Sequence, residues 1–266
     1  ATLAYAGNDG GHDSSAITAT VIKRGDNYVL NGSYRYVIDG DSSELLIVAV
    51  RRPESTGDDG VSLFCLSCDA LGVKTKWLPT MDQTRRQAEV SLTNVTLGKA
   101  ALMGEEGGAW PSLEKALDLA TIAVAAEQAG GAQQVLDMTV AYTKERQQFG
   151  RTIASFQAVK HQAADMMVAA ESAKSAIYYA GCVAHEAMHG GPLGVELAEA
   201  ASIAKAQCSA AFFANASTAI QLHGGVGFTW EYDVHLYFKR AKSSEILFGN
   251  AQYHRERLAK MLLDRG

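Results

Sequence analysis

Three clusters of residues in this chain have types and spacings that could do chemistry. His185, Glu186 and His189 form a His-Glu-x-x-His pattern. On a helix, positions i and i+4 share a face, so the two imidazoles would suit a zinc ion while Glu186 activated a water. A third ligand, Glu196 or Glu199, would have to come from beyond Gly190-Gly191-Pro192, and a pair at a helix end is more simply a solvated face. Gly224-Gly225-Val226-Gly227 follows a long helical stretch and not a strand, which excludes a Rossmann turn. It reads either as a helix stop or as backbone that lets an anionic group approach. Arg146, in Glu145-Arg146-Gln147-Gln148-Phe149-Gly150, either satisfies carbonyls at a helix end or reaches a diphosphate bidentately. Late aromatics from Phe228 to Tyr253 are core packing or a slot for a cofactor ring. No nucleophile elbow, P-loop or kinase signature is present.

The elements that must position these residues divide the chain in two. Residues 1–107 hold 10 alanines and residues 108–266 hold 33, and only Pro192 follows Pro111. Alanine is the best helix former and an interior proline costs about 3 kcal/mol, so the second part reads as helical. The first part reads as short strands: 27–30 and 33–38 around an Asn31-Gly32 hairpin turn, then 45–50, 61–66, 72–77 and 89–92. Polar, glycine-rich clusters such as 39–43 and 55–60 separate them. With no helices between strands, an antiparallel β sandwich or barrel is expected for 1–107. Four helices are expected in 108–266, at about 111–143, 155–189 (with Ser155 as cap), 193–223 and 249–263. Short turns between them make an antiparallel four-helix bundle. The fold class expected is therefore α+β.

The 266 residues are 47% apolar and 20% charged with a formal net charge of −5, a globular and mildly acidic composition. Nucleic acid and anionic membranes are poor partners for such a surface, and no apolar run reaches the roughly 18–20 residues of a membrane span. Cys65, Cys68, Cys182 and Cys208 are too few and dispersed for a disulfide framework. Reduced thiols in a cytoplasmic protein, with no metal, are the expectation. The chain opens at Ala1 without a methionine, which suggests a processed or truncated product.

Three stretches, taken in order, resemble the acyl-CoA dehydrogenase flavoprotein family. They are Glu145-Arg146-Gln147-Gln148-Phe149-Gly150 with Ser155-Phe156-Gln157, then Gln221-Leu222-His223-Gly224-Gly225-Val226-Gly227-Phe228, then Lys239-Arg240-Ala241-Lys242 with Ile246-Leu247-Phe248-Gly249. Leu30-Asn31-Gly32, Tyr36-Val37-Ile38-Asp39-Gly40 and Thr84-Arg85-Arg86 fit the family's β domain. The resemblance implies a middle β domain and a C-terminal helical bundle, without the N-terminal helical domain that precedes them in the family. It implies FAD as cofactor: Arg146 at the diphosphate, Phe149 and Gln157 at the adenine side, and Gln221, Gly224 and Gly225 at the FAD of a neighbouring subunit. Tyr36 and Val37 would lie along the isoalloxazine. Asp118 and Gly249 would contact an acyl-CoA ligand. A homo-oligomer or a hetero-oligomer with a related chain follows, as does an electron-transfer acceptor.

The implied reaction, a step of fatty-acid and lipid metabolism, is α,β-dehydrogenation of an acyl-CoA. A carboxylate removes the α-proton and a backbone N–H polarises the thioester carbonyl. The usual base is a Glu before a Gly, and that slot holds Phe248; the alternative base position holds Ala120. Glu245 and Glu127 are the nearest carboxylates in sequence, neither on a family base position. The flavin loop at Ala4–Asp13 lacks the usual Glu-Pro, and Ile38 replaces a Thr. Three readings stand: an FAD-dependent dehydrogenase, a non-catalytic subunit completing a partner's FAD site, and a zinc hydrolase through His185, Glu186 and His189.

Overall fold

A computed structural model describes residues 1–7 and 11–264. The described residues form two compact units, 1–114 and 115–266. The first holds eight strands: β1 (Thr2–Ala4), β2 (Thr20–Arg24), β3 (Asn27–Ile38), β4 (Leu45–Arg51), β5 (Val61–Ser67), β6 (Val73–Leu78), β7 (Gln87–Gly98) and β8 (Leu102–Met103). They run in the order β6-β7-β3-β2-β4-β5-β8, with β1 paired to β4. The sheet is mixed and sandwich-like and does not close into a barrel. β1 and one bridge of β2 pair with β4 in parallel, while the other ladders are antiparallel. A parallel pair needs a long connection, and the β2–β3 hairpin supplies it between β1 and β4. Leu30, Tyr34, Val48, Phe64 and Val90 fill the core.

Two expectations for this unit need correction. Asn31-Gly32 is not a turn: β3 runs straight through it, because β7 pairs with both halves, and the ladder is irregular between Leu30 and Gly32. A Cβ at Gly32 would run into Ala19, so the glycine permits a close backbone approach at a bulge. The hairpin turn lies at Gly25-Asp26 instead, with Arg24 facing Asn27. β2, absent from the expected strands, pairs with β3 on its other side.

The second unit is built on helices α1 (Trp110–Glu145), α2 (Gln157–His189), α3 (Leu197–His223), α4 (Val234–Ile246) and α5 (Ala251–Leu263). A two-residue hairpin, β9 (Gln147–Gln148) and β10 (Arg151–Thr152), links α1 to α2. Alanines such as Ala125, Ala132, Ala173, Ala180, Ala204 and Ala216 dominate the core. Their small side chains let helix backbones approach closely at little cost in side-chain entropy. The four expected helices are present, and α4 is a fifth. It was not expected because charged residues obscure its period; its buried stripe is only Val234, His235, Ala241 and Ser244. Ser155 does not cap α2: it sits in a 3-10 turn and its hydroxyl donates to the Thr152 carbonyl. Asn250 caps α5 through the Tyr253 N–H at 2.8 Å. Among the described residues no helix is long and apolar enough to cross a membrane.

Candidate functional site

The helical unit brings the expected residues together in two groups. The first lies where α1 and α3 end. Arg146 closes α1, its N–H donating to Tyr142 and its carbonyl accepting from Ile153 N–H. Phe149 and Gly150 turn the hairpin with φ of +55° and +76°, the left-handed pair that a type I′ turn needs. The Phe149 ring is 89% exposed and meets Phe156 edge-on, while the Arg151 guanidinium sits 4.0 Å from the Phe156 centroid. Gln157 opens α2, also exposed.

Gln221, Gly224 and Gly225 lie exposed at the end of α3. Tyr142, one turn before Arg146, stacks on His223 at 4.1 Å and donates its hydroxyl to the His223 carbonyl. The two helix ends are thereby tied together. His223 is buried, and desolvation holds its imidazole below the ordinary histidine range. A Cβ at Gly224 or Gly225 would meet nothing within 4 Å. An exposed guanidinium and open backbone amides can donate to an anion, and an exposed aromatic ring can stack on a planar group.

The second group surrounds the turn between α4 and α5. Phe248 and Gly249 are again left-handed, with φ of +57° and +99°. A Cβ on Gly249 would run into the Tyr253 ring. Lys205, fully buried on α3, donates to the carbonyls of Glu245 (2.9 Å) and Gly249 (2.8 Å) and to Ser209 Oγ (3.2 Å). His254 Nε2 lies 2.9 Å from the Phe248 carbonyl.

Asp118 is buried and held by both Nη atoms of Arg257, at 2.5 and 3.1 Å. Glu127 is paired with Arg240 through both oxygens, and the Glu245 carboxylate with Lys242 at 2.8 Å. Ala120 lies on α1 between Asp118 and Glu127. Sequence reasoning did not single out Lys205, His254 or Arg257. For Lys205 the signal was there: a lone lysine in Ser202-Ile203-Ala204-Lys205-Ala206, a run with no polar face to solvate it.

Tyr36 and Val37 belong to the β unit. Tyr36 is half exposed with φ +61°, under the Arg35 guanidinium, at an irregularity in the β3–β7 ladder. Val37 points into the sheet core. Asn8, Asp9 and Gly10 of the expected flavin loop lie outside the described residues. The His185 and His189 ring centroids lie 4.2 Å apart with the rings tilted, His189 Nδ1 is on the His185 carbonyl, and among the described residues no three His, Cys, Asp or Glu side chains converge on a metal position. The four cysteines are unpaired thiols, and burial pushes Cys208 up to about 12.

The family model "Acyl-CoA dehydrogenase, C-terminal domain" matches residues 107–263. "Acyl-CoA dehydrogenase IpdE2" of Mycolicibacterium smegmatis is 37% identical over 223 residues, 84% of this chain and 60% of that protein. The mitochondrial short/branched chain specific acyl-CoA dehydrogenase of Bos taurus is 30% identical over 254 residues, 95% of this chain and 57% of the relative. The solved butyryl-CoA dehydrogenase of Megasphaera elsdenii superposes with a TM-score of 0.90 at 28% identity, covering 98% of this chain and 67% of that one. The chain thus spans about 60% of the length of these curated relatives. With both its units matched in fold and its helical unit matched by the family model, the chain belongs to the acyl-CoA dehydrogenase family.

Proposed function

We propose that this chain serves FAD-dependent α,β-dehydrogenation of an acyl-CoA thioester. The observation that carries this reading, beyond family membership, is the open cationic end of the helical unit. Among the described residues no carboxylate pairs with Arg146, and the backbone at Gly224 and Gly225 has open space above it. These residues fit FAD. Arg146 would hold the diphosphate, Phe149 and Gln157 would flank the adenine, and Gln221, Gly224 and Gly225 would let the cofactor of a neighbouring subunit approach. Tyr36, half exposed on the β unit, would meet the flavin, while Val37, buried in the sheet core, offers no side chain to it. When bound, FAD supplies a hydride acceptor. The chain's part is to orient the thioester: the backbone N–H of Phe248 would donate to its carbonyl and raise the acidity of the α-carbon. An acceptor of the electron-transferring flavoprotein class is part of the proposal, as is a reducing cytoplasmic setting for the four free thiols. A related protein of Acetobacterium woodii, 27% identical, is a caffeyl-CoA reductase-Etf complex subunit.

A second reading is favoured by the fate of the carboxylates. Phe248 stands in the base slot and cannot take a proton. Asp118, Glu127 and Glu245 are each held by a cation. In this reading the chain completes the FAD site of an unlike chain that carries the base.

The test is a ferricenium-acceptor assay on the full-length protein from its native host, with mass spectrometry of co-purifying chains. Turnover of acyl-CoA by the homomer supports the first reading. Turnover that appears only with a glutamate-bearing second chain supports the other. A protein that never retains flavin overturns both. Phe248→Glu should raise homomer activity by about 10²–10⁴, the usual worth of a general base.

A further inference from the structure

The turn from Glu245 to Gly249 is held from inside by its carbonyls. Lys205 Nζ reaches those of Glu245 (2.9 Å) and Gly249 (2.8 Å), and His254 Nε2 reaches that of Phe248 (2.9 Å). The Ile246 carbonyl accepts from the Gly249 N–H at 3.2 Å. Among the described residues, no backbone carbonyl accepts from the Phe248 N–H. The inward pull on its neighbours thus leaves the Leu247–Phe248 peptide free to bond outward.

The clamp has its own supports. Lys205 also donates to Ser209, whose hydroxyl donates to Gln128 Oε1 at 3.1 Å. Three acceptors therefore meet the three donors of an ammonium, without which burying a lysine is costly. His254 Nδ1 lies 3.4 Å from Ser202 Oγ, which also faces Arg257 of the Asp118 pair at 3.5 Å. A carbonyl can only accept, so Nε2 carries a proton and donates it to Phe248. Helix ends normally leave their last carbonyls to solvent or to a glycine motif. Here a buried lysine takes that of Glu245, and the lysine and a buried histidine also take those of Gly249 and Phe248 beyond the helix, so the two successive left-handed residues are over-determined.

We propose that Lys205 and His254 are positioning residues: they fix the Leu247–Phe248 peptide so that the Phe248 N–H serves as a preformed donor to a ligand carbonyl of the acyl-thioester class. The ligand half of this inference rests on the function proposed above; the clamp itself does not.

The experiment compares His254→Leu, which loses the donor to Phe248, with His254→Gln, whose amide nitrogen can replace Nε2–H. Lys205→Met is a third variant. Hydrogen–deuterium exchange of the flavin-bearing protein is read at amides 246–250, with the β-unit amides as internal control. His254→Leu and Lys205→Met should speed exchange in the turn about tenfold or more, as loss of one such hydrogen bond predicts, while His254→Gln stays near wild type. Octanoyl-CoA titrated against bound-flavin absorbance should bind about tenfold more weakly to His254→Leu and recover in His254→Gln. Wild-type exchange in His254→Leu, or equal loosening in His254→Gln, overturns the clamp. A loosened turn with unchanged octanoyl-CoA affinity overturns the positioning role. If Lys205→Met fails to fold, the His254 pair decides alone. Should wild-type flavin not respond to octanoyl-CoA at all, the proposed function fails and with it the ligand half, while exchange still judges the clamp.

Discussion

The helical unit contains two Phe-Gly dipeptides with nearly the same backbone and opposite surroundings. Phe149-Gly150 and Phe248-Gly249 both place a phenylalanine near φ +56° ahead of a left-handed glycine. The first pair tips an exposed hairpin, with nothing within 4 Å of a Gly150 Cβ. The second is enclosed: Tyr253 crowds Gly249 while Lys205 and His254 grip the carbonyls on either side. In both places the glycine accepts positive φ readily, while the phenylalanine before it takes a conformation its side chain disfavours. Whether that conformation presents a surface outward or is locked from within is set by which helices pack behind it. The open pair follows Arg146 just past the end of α1, in the group proposed to receive a cofactor; the locked pair is the turn proposed to hold a backbone donor still.

Breaking the locked pair should have the largest effect. Gly249→Ala combines a left-handed penalty of about 1–2 kcal/mol with overpacking of about 1–3 kcal/mol. Gly150→Ala carries only the first. Urea denaturation should therefore separate the two variants by at least about 1 kcal/mol, and equal losses would erase the distinction between the two turns.

The open end is sharpened by Arg146→Ala. A charge-assisted bond to a diphosphate is worth about 1.5–3 kcal/mol, or roughly ten- to a hundredfold in affinity. Flavin retention should fall accordingly, while the unfolding midpoint shifts by no more than about 0.5 kcal/mol because the side chain is exposed. A variant that keeps its flavin removes Arg146 from the cofactor site.

The smallest effect concerns His223, which ties the open end together. Burial lowers its folded-state pKa below the unfolded 6.5, so the unfolded chain binds the proton more readily. Its contribution is complete above pH 6.5 and is lost as the pH falls from there through the lower folded-state value. His223→Phe keeps the stack on Tyr142 and cannot titrate, so its stability should decline less steeply than wild type between pH 6.5 and 5. Parallel declines would remove His223 as the cause.

Much of the architecture was legible because it rests on local chemistry. Alanine enrichment and sparse prolines marked the helices, and Gly190-Gly191-Pro192 and Gly224-Gly225 marked two of their ends. The Asn31-Gly32 reading failed because a two-residue rule cannot see β7, whose ladder spans both sides of the bulge. α4 was hidden because its buried stripe is narrow and its surface charged. In the site, the exposed position of Arg146, Phe149 and Gly224 follows from their place at helix ends. The confinement of Asp118 by Arg257 was not legible, since 139 residues separate the two.

By itself the sequence determined the division into a β part and a helical part, the family motifs, and the absence of a glutamate at residue 248. Those are properties of composition, order and identity. Only the tertiary structure decided the mixed pairing of the sheet, the tying of Arg146's helix to the glycine loop through Tyr142 and His223, and the grip of Lys205 and His254 on the Phe248 turn. The reason is that a buried polar group is specified by partners brought to it from other helices. An amide, ammonium or carboxylate in the interior must find them, and nothing within a few residues of Lys205 along the chain says which carbonyls they will be.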